Sequence, residues 1–410
     1  AEDDARALAT ADTLLLRHAD DDAALLLAAR IALQAMRADR ADALARRVLA
    51  RQGDGGWGRS GGACTACEAV ELRLHAAWTA GDIGRAESIA SGYRARAGST
   101  PRVVLWQATL AEGRGLWRAA DSLYRASGLA PHADADARAL RLAVRAGTLA
   151  RAAQLAREAL ASGDADRRVD GEHALALVLR EQDRAREGLR VLSTMARASY
   201  AMQLAYGALL LDAGEARRAA ATFADAETRW LGDGTPASSP FAARIRTWAL
   251  AHHASALAAA GDTAALLPVA DRMERIGRGA LLGRVGVLHH WPRALLWRAR
   301  GVRDSTIASL RRVVVSPTQA HLRAAWLLGD ELLAAGRADE ARTVVERALM
   351  GPIDASGYYV TRRQLHAVRA AACAALGDAA CVADATAWGR PSARSARRRA
   401  PRSRVELAGR

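Results

Sequence analysis

The chain has 410 residues, 51% hydrophobic and 4% aromatic, with a formal net charge of +15, so it buries a sizeable core and is not disordered overall. Its apolar share rests on Ala and Leu, with Phe nearly absent and Val and Ile sparse, which favours helix and argues against a sheet-rich fold. None of the 59 basic residues is lysine, which excludes a phosphate-loop lysine, a kinase nucleotide lysine, a Schiff base and a Ser-Lys dyad.

Residues 1–52 read as N-terminal helical hairpins turning at Asp39. Residues 53–67 form a Gly-rich loop carrying a C-x-x-C pair. Gly53, Gly55 and Gly58 satisfy G-x-G-x-x-G, yet a helical stretch precedes them where the dinucleotide motif needs a strand. Gly58 to Gly62 matches G-x-S-x-G around Ser60, but no parallel sheet flanks it to supply the strained turn and the oxyanion donors. Both matches are glycine-rich flexibility.

From 68 to 388 an apolar helical stretch, a small turn residue and a second Ala-rich helical stretch recur. Together with Asp39, the turn points fall at Gly81, Gly115, Gly147, Asp183, Gly214, Gly261, Gly301, Gly336 and Gly377. Spacings of about 31 to 47 residues suit one helical hairpin each, which predicts an all-α solenoid of about ten stacked hairpins. Gly115, Ala120, Tyr124 and Pro131 give the grammar: a turn, a small residue at a close helix crossing, an aromatic filling the gap, and a stop. It returns at Gly214, Ala219, Phe223 and Ala226, and at Leu328, Gly329, Gly336, Ala341, Ala348, Leu349 and Pro352.

In these residues the chain resembles the tetratricopeptide repeats, helix-turn-helix units of about 34 residues, over Glu71 to Pro352. Gly188 and Leu266 stand where that family carries Ala. The aromatic is missing between Gly147 and Ala159 and between Gly301 and Pro317. The Gly232 to Pro240 run reads as an inter-repeat loop, and residues 389–410 as an Arg-rich disordered tail, with eight arginines from Arg390 to Arg410 against Glu406.

The four cysteines and four of the ten histidines fall in pairs. Cys64 and Cys67 precede a helix, and Cys373 and Cys381 lie four residues either side of Gly377, so a hairpin there brings their side chains together as a disulfide. Both pairs are expected to oxidise if the protein is exported; a reducing cytoplasm, the favoured compartment, leaves four thiols. His252-His253 and His289-His290 are adjacent pairs whose members diverge by about 100° on a helix and do not share an ion. No catalytic residue, cofactor or metal is expected.

The ten Trp residues include Trp78, Trp106, Trp117, Trp248, Trp291, Trp297 and Trp326, mostly core wedges. The resemblance implies that partners meet the first helix of each hairpin, which singles out Arg323, Trp326 and Asp330, with Trp291 and Arg298 in the preceding unit. The family's carboxylate clamp uses Lys and Asn, and this chain has neither. The expected function is therefore a non-enzymatic scaffold that binds a peptide or protein segment on a concave surface. The alternative is the sensor or regulatory arm of a larger bacterial signalling or transcriptional protein, for which the start at Ala1 without a methionine leaves room. No apolar stretch of about 18 residues spans a membrane. The tail is expected to bind nucleic acid weakly and nonspecifically at most.

Overall fold

In the computed structural model a single helix, α1 (Glu2–Arg17), leads into ten helical hairpins among the described residues. These residues are 2–53, 57, 64–129, 135–194, 196, 198–230, 239–278, 283–314, 316, 322–351 and 360–389. Gly55, Gly58, Ser60, Pro131, residues 232–238, Pro317, Pro352 and the tail from Arg390 lie outside them.

The hairpins are α2 (Asp22–Gln34) with α3 (Ala38–Gln52), α4 (Thr65–Thr79) with α5 (Ile83–Ala97), α6 (Pro101–Gly113) with α7 (Trp117–Ser127), and α8 (Ala135–Arg145) with α9 (Leu149–Leu160). There follow α10 (Ala165–Glu181) with α11 (Ala185–Leu192), α12 (Tyr200–Asp212) with α13 (Ala216–Arg229), and α14 (Pro240–Ala259) with α15 (Leu266–Gly277). After the single turn α16 (Gly283–Gly286) come α17 (His290–Ala299) with α18 (Arg303–Val313), α19 (Leu322–Ala334) with α20 (Ala338–Met350), and α21 (Arg362–Ala375) with α22 (Ala379–Ala387). The fold is an all-α solenoid.

One backbone device closes every hairpin. At Gly115 the N–H donates to the Glu112 carbonyl and the next N–H, of Leu116, reaches back to Ala111, the two bonds of a Schellman turn. That turn needs a left-handed residue, and the nine turn points from Gly81 to Gly377 all have positive φ, Asp183 among them. Asp39 is the exception. It lies in the first turn of α3, where a carboxylate suits the helix N-terminus, and the left-handed position is Met36, which no turn propensity marks.

Five residues past each turn a small or apolar side chain lets the paired helices touch. Ala41, Ala86, Ala120, Ala152, Ala219 and Ala341 occupy that position fully buried. Where the position departs from Ala, Leu266 and Thr306 are also fully buried, Val382 is half-buried, and a Cβ on Gly188 would stand 2.8 Å from Leu209 Cδ2, so that crossing is too close for a methyl. Leu25, Leu44 and Val48 share one core with Ala69 and Leu72 of α4, so the first 52 residues are packed into the array. Helix α4 starts at Thr65, inside the span expected to be loop, because Cys64 already caps it.

Carboxylate–arginine pairs tie successive hairpins, two of them with one buried member (Asp42 and Arg180) and one near the surface. Arg73 meets Asp42 (3.0 Å), Arg180 meets Asp212 and Arg298 meets Asp330 (2.9 Å), partners 31 or 32 residues apart and thus one unit along the stack.

The stack also turns back on itself. Ser316 Oγ donates to the Thr79 carbonyl (2.7 Å), the backbone N–H of Arg362 donates to Glu181 (3.0 Å), and Trp388 Nε1 donates to the Arg145 carbonyl (3.2 Å). The ends of α4, α8 and α10 therefore meet the segments flanking α18, α21 and α22, and a seam joins the early hairpins to the last ones.

Candidate functional site

On α19, Arg323, Trp326, Asp330 and Leu333 are left partly uncovered by packing, spaced to fall along one stripe of the helix, and Ala334 is exposed at its end, while Leu322, Ala324, Ala325, Leu327, Leu328 and Leu332 are buried. Arg298 of α17 joins that stripe, its Nη2 bonded to Asp330 (2.9 Å) and its Nε paired with Glu331 (3.0 Å). Trp326 is half-buried against the core. Trp297, also half-buried, lies under the Arg300 guanidinium at 5.5 Å.

Trp291 belongs elsewhere, which corrects its placement on the partner-facing surface. It is completely buried and its indole N–H donates to Ser255 Oγ (3.1 Å). Its neighbour Pro292 is buried with it, so this end of α17 faces the core.

Both cysteine pairs are disulfide-bonded, Cys64 at the N-cap of α4 to Cys67 in its first turn, and Cys373 to Cys381 across the α21–α22 turn. His252 is buried and stacks on Phe223, centroids 4.9 Å apart. The rings of His289 and His290 are 4.0 Å apart, and His289 Nδ1 lies 2.9 Å from the Gly286 carbonyl oxygen. Among the described residues no group of three or more His, Cys, Asp or Glu is disposed to hold a metal ion, and no helix is long and apolar enough to cross a membrane.

The seam holds a second feature that the spacing of residues along the chain does not announce. Arg145, at the end of α8, is buried and donates to the carbonyls of Met350 (2.9 Å) and Gly351 (2.6 Å) at the C-terminal end of α20. Its Nε sits 3.2 Å from Glu112, which also accepts from the Tyr124 hydroxyl (2.6 Å). Arg362, at the start of α21, donates through Nη2 to the Leu349 carbonyl (2.7 Å). Burial and the neighbouring Arg145 charge lower its pKa to about 9.

Arg145 and Arg362 border a cleft of about 600 Å³ between the α6–α7 and α8–α9 turns and helices α20, α21 and α22. His366 and Trp388 stack within it, centroids 5.0 Å apart and planes 15° apart. Burial, then the charges of Arg362 and Arg369, pull His366 down to about 3, so its imidazole is neutral near neutral pH. A cleft built from residues more than 200 positions apart has no local signature; the arginines that line it read in the sequence only as part of a basic composition.

No family model matches the chain, and no curated protein matches it. Solved structures similar to it include a tetratricopeptide repeat protein from Parabacteroides merdae, at 11% identity over 71% of this chain and 94% of that one, TM-score 0.34. Two others are the human IFIT1 dimer with m7Gppp-AAAA, at 10% identity over 90% and 88% with TM-score 0.31, and the APC/C hetero-tetramer Cut9–Hcn1, at 12% over 93% and 86% with TM-score 0.28. At such scores the architecture rests on this chain's own helix order and turns.

Proposed function

We propose that the protein is an interaction scaffold that binds an extended peptide or protein segment and carries out no turnover. The observation that supports this most is the α19 stripe: Arg323, Trp326 and Asp330 on one helix face, continued by Arg298 from the preceding hairpin. Trp offers large contact area at low entropic cost, and Arg pairs carboxylates through two parallel bonds, which makes both frequent anchors of binding energy. The stacked hairpins supply the rigid support such a row needs. A segment with an acidic residue one or two positions from a large apolar one fits this chemistry.

Panning a displayed random-peptide library against the intact chain tests the reading. The expected result is an enriched acidic and apolar sequence whose affinity falls roughly tenfold with Trp326→Ala and with Arg323→Ala. Enriched peptides that bind both variants as well as the parent would place the contact face elsewhere, and no enrichment at all would remove the reading.

A further inference from the structure

We propose that the seam cleft is a binding site for a small organic oxyanion, a carboxylate or a phosphate attached to a flat ring, with Arg362 as its cationic anchor. The site lies apart from the α19 stripe and does not depend on it.

The charge balance points to an anion. Four arginines line the cleft against Glu346 and Asp384. Three of the four have carboxylate partners: Arg114 bonds Glu87 (2.7 Å), Arg145 pairs with Glu112, and Arg369 bonds Glu346 (3.1 Å) and Asp384 (2.6 Å). Arg362 has none within ion-pair distance among the described residues, although it is 6% exposed. A buried cation is costly unless a counter-charge and hydrogen-bond acceptors accompany it.

Its donors are unequally used. Nη2 meets the Leu349 carbonyl, while Nε and Nη1 have no acceptor among the described residues. Capping that one carbonyl takes one donor. The rest of the guanidinium is surplus to the fold, and a fork of N–H groups is the arrangement that recognises carboxylate and phosphate oxygens. Nε and Nη1 are closed to water, so a ligand reaches them through a small shift of the side chain. Glu181 and Glu112 favour the Arg362 charge only from beyond ion-pair distance. Glu181 accepts from the backbone N–H groups of Arg362 (3.0 Å) and Arg363 (3.4 Å), and burial raises its pKa.

The aromatic part of the ligand follows from the cleft's other surfaces. The volume falls in the range of small-molecule sites, and Trp117 lines it along with the stacked His366 and Trp388. His366 Nδ1 has no hydrogen-bond partner among the described residues, so it offers the ligand a polar contact beside the ring surface.

Calorimetric titration of the intact chain with inorganic phosphate, benzoate and benzyl alcohol tests this. One-site, saturable binding of phosphate or benzoate, with none of benzyl alcohol, is expected, and the two anion arms tell which oxyanion the site prefers. Binding should weaken roughly tenfold or more in Arg362→Met and in Arg362→Lys, the latter keeping a charge and one donor for Leu349. Independently of any variant, the bound anion should slow amide exchange in peptides spanning 346–351 and 362–369 of the parent chain. Absence of saturable binding by either anion, parental affinity in the Lys variant, or protection confined to other hairpins would each overturn the proposal.

Discussion

Arg145 Nη1 donates to the Gly351 carbonyl at 2.6 Å, a contact between residues 206 positions apart. A guanidinium at the C-terminal end of α20 meets the negative end of that helix's dipole and satisfies carbonyls that have no partner within it. The same side chain balances Glu112, so one residue fastens the last hairpins to the fourth. Arg145→Met leaves Glu112 buried with a weaker counter-charge and strips the α20 end of its donors. We expect a loss of about 3 kcal/mol in urea denaturation, with faster amide exchange at 346–351. Parental stability would mean that the seam does not depend on this arginine.

Two hairpins close on a left-handed residue other than glycine, Met36 (φ 61°) and Asp183 (φ 63°). A side chain there costs roughly 1 kcal/mol or more relative to glycine. Met36→Gly is expected to raise the denaturation midpoint by that order. Asp183→Gly should gain less, because Asp183 also pairs with Arg363 at 3.7 Å. A lower midpoint for Met36→Gly would contradict the assigned turn.

Gly171 in α10 lies against the end of α9, where an added Cβ would come within 2.9 Å of the Ala159 carbonyl carbon and closer still to the Leu160 nitrogen. Both neighbours are backbone and have little room to give. Gly171→Ala should destabilise by about 1–3 kcal/mol despite alanine's better helix propensity. Thermal melting reads the sign, and a stabilised variant would show that the two helices separate freely.

Acid should weaken the fold through its buried imidazoles. His366 is held neutral down to about 3 by burial and the arginines beside it, and His290 down to about 4 by burial and His289, against an ordinary 6.5. The unfolded chain therefore binds the extra protons first. Their stabilising contribution is complete above 6.5 and is lost as pH falls through the folded values. Denaturant midpoints should fall between about pH 7 and about pH 5, and His366→Phe should flatten part of that slope. An identical slope in the variant would remove His366 from the account.

The repeat was legible because it is local. A Schellman turn fixes which residue goes left-handed, and glycine at that point is visible without any partner, as at Gly115 or Gly336. Met36 was missed because its conformation is imposed by the helices on either side. Trp291 was misplaced because the register of α17 was carried over from the following hairpin, whereas Trp291 and Pro292 here turn inward. The seam was illegible for a different reason. Arg145, Glu181 and Arg362 meet only after the hairpins have stacked, and the small rotation added by each unit leaves no mark in the amino-acid order.

Small-angle X-ray scattering of the intact chain tests the central claim, that ten stacked hairpins turn back and join through the Arg145 and Arg362 seam. The account predicts a pair-distance distribution matching the closed array, with a maximum dimension that lengthens in Arg145→Met. A parent profile fitted only by an open solenoid, with α19 to α22 detached from α6 to α10, would contradict it.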